Sequence, residues 1–134
     1  MIKTATLLLA TALIASAHHS LFAEFEMQEL VCNGTVVSLD WANPHASFQA
    51  SVEQHGRQAN WTFELAGPSG LINRGWSRDS LKPGDAVTIY AFPAKNGRLR
   101  GSVRFVILAD GRILTVDHPF NYHLDDRPDL RVQK

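Results

Sequence analysis

The chain has one cysteine, Cys32, so no internal disulfide can form and stability must come from packing, hydrogen bonding or a bound metal. Set beside Val31 in a strand-like run, Cys32 reads as a small core residue rather than a reactive thiol. An excess of either charge is also missing. The 13 basic and 13 acidic residues balance, which removes the electrostatic case for nucleic acid or an anionic membrane surface as a partner. There is no GxSxG elbow, no glycine-rich nucleotide loop, no HExxH, and no cysteine placed beside a histidine as a nucleophile. Motifs therefore favour a binding module over an enzyme. Past residue 17, no apolar run approaches the roughly 20 residues that a spanning helix needs.

The first seventeen residues do carry a pattern. Met1-Ile2-Lys3 is a short basic start, Thr4 to Ile14 is apolar, and Ala15-Ser16-Ala17 is a small-x-small cleavage signal. These are the parts of a secretory signal peptide. Residues 1–17 are expected to be removed, leaving His18 as the first residue of a periplasmic or secreted protein. Residues 18–29 (HHSLFAEFEMQE) show no clean period and read as an arm, with Leu21, Phe22 and Phe25 as anchors and Glu24, Glu26 and Glu29 as a solvated acidic face.

From residue 30 the pattern becomes that of short strands. Leu30–Trp41 is rich in β-branched residues, with a bend or bulge expected at Gly34. Ala46–Glu53 alternates with period two, and Gln58–Ala66 places Ala59, Trp61, Phe63 and Leu65 on one face. These two runs should form a hairpin around the polar turn 54–57, with His55 solvated. Ser69–Gly75 has room for about two helical turns, with Leu71 and Ile72 inward and Gly75 at the stop. Ala86–Phe92 and Ser102–Leu108 are further strands, the latter with Val103, Phe105 and Ile107 on one face. A short sixth piece fits Arg112–Val116, and residues 117–134 form a polar tail.

Three strands, a short helix and two strands is the element order of the OB fold. The expectation is therefore an all-β domain over 30–116, with one short helix in a small five-stranded OB-like barrel. A sandwich usually wants about seven strands.

Of six histidines, three form the strongest metal candidate. At a mature N-terminus His18 would offer both an α-amine and an imidazole, His19 an alternative chelate, and His45 a third nitrogen. Such a set suits copper above other divalent ions. His45 follows Pro44, which fixes its own φ and holds Asn43 extended, so the turn can aim the imidazole. His45 reads equally well as a residue capping the barrel through a backbone carbonyl. His118 and His123 lie in the tail and read as part of a docking segment. The alternative function needs no metal: an OB-type module would hold a small ligand or a partner protein through the Trp41–His45 turn, with Trp41 and Asn43, and the Arg74–Arg78 segment, with Arg74 and Trp76. Core packing is the competing role for all three tryptophans. The Asn-x-Thr triplets at 33–35 and 60–62 lie in strand segments and read as structural.

Several blocks occur in one order: Ala17-His18-His19-Ser20, Gly34-Thr35-Val36, Trp41-Ala42-Asn43-Pro44-His45, Trp61-Thr62-Phe63-Glu64, Leu71 with Arg74-Gly75-Trp76, Leu81-Lys82-Pro83-Gly84-Asp85, and Ala109-Asp110-Gly111-Arg112. In these the chain resembles DUF6152, a family of small exported bacterial proteins of unknown function, over about His18 to Leu114. The resemblance implies a periplasmic or secreted protein of a Gram-negative-type bacterium and brings no established activity or catalytic residues. It marks His18, His19, Asn43, Pro44, His45, Glu64, Arg74, Gly75 and Trp76 as motif positions.

Overall fold

The structure, a computed structural model, describes residues 21–116. Helix α1 spans Leu21–Glu24, followed by β1 (Leu30–Asp40), β2 (Ser47–Gln54), β3 (Arg57–Glu64), α2 (Pro68–Ile72), β4 (Ala86–Pro93), β5 (Arg100–Leu108) and β6 (Ile113–Thr115). The order in the sheet is β3-β2-β1-β4-β5-β6. A parallel pairing of Thr62–Glu64 with Arg100–Ser102 joins β3 to β5 and closes the first five strands into a barrel. This is the expected all-β, OB-like barrel with its helix between the third and fourth strands.

The closure depends on β1, whose first half pairs with β4 (30–35) and whose second half pairs with β2 (34–40). Gly34 sits where both ladders meet. A Cβ there would lie 3.3 Å from the Ala50 and Val52 side chains and from the Ser51 carbonyl, so glycine lets the strands approach. The bulge itself falls later, between Val36 and Ser38. It leaves Val37 42% exposed beside the buried Val36. The β2–β3 hairpin turns on His55 (φ 52°) and Gly56 (φ 75°), the two left-handed residues of a type I′ turn.

A second bulge changes the reading of β5. Tyr90 faces Phe105 and Ala91 faces Val103, so Arg104 is the extra residue. Because side chains alternate with period two, one added residue reverses the phase beyond it. Val103 and Val106 therefore enter the barrel, whereas Phe105 stacks on Tyr90 outside it, ring centres 4.1 Å apart. The expected Val103–Phe105–Ile107 face does not exist.

The barrel interior holds Phe48, Ala50, Val52, Trp61, Phe63, Ile89, Val103 and Val106, and Leu71, Trp76, Leu81 and Leu114 belong to the same core. Phe63 stacks with Phe48 at 5.2 Å and with Trp61 at 5.8 Å. Helix α2 buries Leu71 but leaves Ile72 59% exposed. Successive helical positions are about 100° apart, so one turn can turn only one of two neighbours fully inward.

Cys32 is buried and unpaired. Burial pushes its thiol from the ordinary 9.0 up to about 11. The folded protein thus keeps this proton to higher pH than the unfolded chain. Its contribution to stability is full below pH 9 and is lost as pH rises toward 11. Urea midpoints across that window should fall less steeply for Cys32→Ala than for the natural protein, and equal slopes would disprove the assignment.

Candidate functional site

The Trp41–His45 turn closes the end of β1. Trp41 is half-buried against the core, Asn43, Pro44 and His45 are exposed, and the Asn43–Pro44 peptide is cis. Ala46, fully buried, fastens the turn to the end of β3. Its N–H donates to the Ala66 carbonyl (3.0 Å), and its own carbonyl accepts from the Leu65 N–H (2.9 Å). Gly67, at the entry to α2, presses on the same turn: a Cβ there would stand 2.8 Å from the Pro44 carbonyl oxygen. Any other residue would force the helix away from the turn. Nothing local to Gly67-Pro68 announces this contact, because the close approach is to a residue 23 positions away.

The arm is tied to this end of the barrel. Phe25 bridges to Ala94, the Glu26 N–H donates to the Pro93 carbonyl (2.8 Å), and the Lys95 N–H donates to the Glu24 carbonyl (2.9 Å). Phe25 is buried with Phe92 and Ala94, and the Arg100 guanidinium lies over its ring at 5.2 Å. Arg100 donates through Nε to Glu64 Oε1 (2.9 Å), through a terminal nitrogen to the same oxygen, and to Glu24 Oε2 at 3.4 Å. Glu64 faces Ser47 across the β2–β3 ladder, and Ser47 is two residues past His45. A clasp, Glu24–Arg100–Glu64, thus joins the arm to the strand end beside the turn.

The acidic face expected of the arm is therefore incorrect in two of three places. Glu24 is in the clasp, and Glu29 pairs with Arg104. Only Glu26 is exposed with no ion pair shown. Both arginines lie more than 70 residues downstream, so no local pattern could announce these pairs.

The Arg74-Gly75-Trp76 block has a different use. The Gly75 N–H donates to the Ile72 carbonyl, the Trp76 N–H donates to the Leu71 carbonyl, and Gly75 has φ +84°. That is a Schellman stop, with glycine in the left-handed position and an apolar residue after it folding back. Trp76 is 2% exposed, and its Nε1–H donates to the Thr115 carbonyl at 2.8 Å. It offers no ring face to a ligand, which corrects the expectation of a stacking residue there. Arg74 is exposed just before it. The structure gathers Trp41, Asn43 and His45 on one turn, while Trp76 serves the core.

A family model for DUF6152, described as a family of unknown function, matches residues 6–103. The chain belongs to the DUF6152 family. The DUF6152 match begins within the apolar N-terminal run and ends before Ala109–Arg112, so it reaches further upstream and stops earlier than the motif blocks suggest. Neither curated proteins nor solved structures gave a significant match. Among the described residues no three His, Cys, Asp or Glu side chains are grouped to hold a metal, and no helix is long and apolar enough to cross a membrane. His18, His19, His118 and His123 lie outside the described residues.

Proposed function

We propose that this DUF6152 protein is an exported binding module holding a copper-type ion where the N-terminal arm meets the Trp41–His45 turn. The observation that carries this reading is the clasp, which ties the arm to the barrel end bearing His45. His18 is three residues before Leu21, and at about 3.3–3.6 Å per residue the chain limits it to roughly 10 Å from there. Cleavage after Ala17 would give His18 a free α-amine beside its imidazole, and His45, on an exposed turn held by Ala46 and Gly67, adds a third nitrogen. His19 supplies an alternative through its ring. Nitrogen donors of this kind favour copper among the divalent ions. They bind a metal only when deprotonated, so affinity should fall as the solution is acidified.

The test is a copper(II) titration of protein beginning at His18, beside a version with one extra N-terminal residue and beside His45→Ala. Tight one-to-one binding is expected in the first. The extended version should lose at least about a hundredfold, since even outer partners of metal ligands command 10–100-fold. Weak binding indifferent to both changes would sink the reading.

A further inference from the structure

Toward the other end of the strands from Ser47 and Glu64, an open trough of about 530 Å³ crosses the outer face of β1, β2 and β4. We propose that this trough is a binding site for a neutral sugar unit of a glycan. The inference does not rest on the metal reading.

The polar lining is arranged in advance. The Thr88 hydroxyl donates to Asn33 Oδ1 (2.9 Å), and the Ser51 hydroxyl donates to Gln58 Oε1 (2.7 Å). With both carbonyl oxygens engaged by neighbouring strands, each carboxamide has its NH₂ group left to donate. Among the described residues those NH₂ groups have no partner, and Glu53, which also lines the trough, has no ion pair. Two oriented amide donors and a carboxylate acceptor match the alternating donor and acceptor character of sugar hydroxyls. Hydrogen bonds to the carboxylate are the stronger of these.

The rest of the lining decides between ligand classes. No lysine, arginine or histidine lines the trough, so a phosphate or other anion would meet Glu53 with no compensating cation. Ala86 and Ile107 also line the trough and give it apolar contacts suited to the C–H face of a pyranose. A site with hydroxyls, amides, one carboxylate and apolar contacts fits a neutral polyhydroxylated ring better than an anion or a purely apolar ligand.

The experiment is an NMR titration of ¹⁵N-labelled protein with cellotriose, maltotriose and tri-N-acetylchitotriose as probes. At least one should shift the Asn33 and Gln58 side-chain amide signals saturably. Gln58→Ala and Asn33→Ala should each weaken that binding by about tenfold, the value of one hydrogen bond. Both residues are exposed, so either variant serves if the other disturbs the fold. His45→Ala should leave sugar binding unchanged, which separates this site from the metal proposal. Absence of a saturable shift with all three sugars overturns the inference, as does undiminished binding in both alanine variants.

Discussion

Replacing Trp76 by alanine is expected to cost about 3–5 kcal/mol of stability, the range for deleting a buried large aromatic. Trp76→Phe should cost far less, about 1–2 kcal/mol, mainly for the Thr115 carbonyl left without a donor. The indole is 2% exposed and joins the core with Leu71 and Leu114. Its N–H holds the carbonyl that ends β6, so this one ring fastens the segment after α2 to the strand flanking β5. Urea unfolding followed by circular dichroism measures both costs. A Trp76→Ala protein with an unchanged midpoint would show that the ring contributes nothing to the core, and would reopen its part in ligand binding.

Glu29→Ala is expected to destabilise the protein by about 3 kcal/mol, the low end for removing one member of a buried ion pair. Arg104 is only 8% exposed, and Glu29 is 16% exposed. The guanidinium also lies over the rings of Phe105 (5.7 Å) and Phe92 (6.0 Å). Removing the carboxylate leaves a desolvated cation with less compensation, whereas changing both partners removes the charge that must be compensated. The double variant Glu29→Ala/Arg104→Met should therefore regain part of the loss, since the apolar methionine fits between the same rings. A double variant as unstable as the sum of the two single ones would show that the two residues do not interact. Surface pairs give a useful contrast: Arg112 and Asp110 are 70% and 54% exposed, and breaking that pair should leave the urea midpoint essentially unchanged.

Much of the fold was legible because its signals are local. Period-two alternation marked β2 and β3 almost to their ends, and Gly75 marked the stop of α2, since a left-handed residue favours glycine. The order of elements then restricted the architecture to a small barrel. What escaped was the phase of β5. Its extra residue, Arg104, is visible only against its partner strand, and so Phe105 was assigned to the wrong face.

The candidate site was legible to a smaller degree. Asn43-Pro44-His45 stood out because a turn fixed by proline can aim the imidazole that follows it. Arg74-Gly75-Trp76 looked similar on paper, yet it is a helix stop with its tryptophan inside. Both kinds of block depart equally from ordinary composition, and only burial separates them.

By itself the sequence determined the strand segments, the short helix α2, the absence of disulfides and the balanced charge, because each follows from residue type and short-range spacing. Only the tertiary structure decided that Glu24 and Glu64 share Arg100, that Gly67 lies against the Pro44 carbonyl, and that Asn33 and Gln58 line one trough. Those relations join residues far apart in the chain. They depend on how the closed barrel brings strand ends together, and that closure leaves no trace in any local pattern.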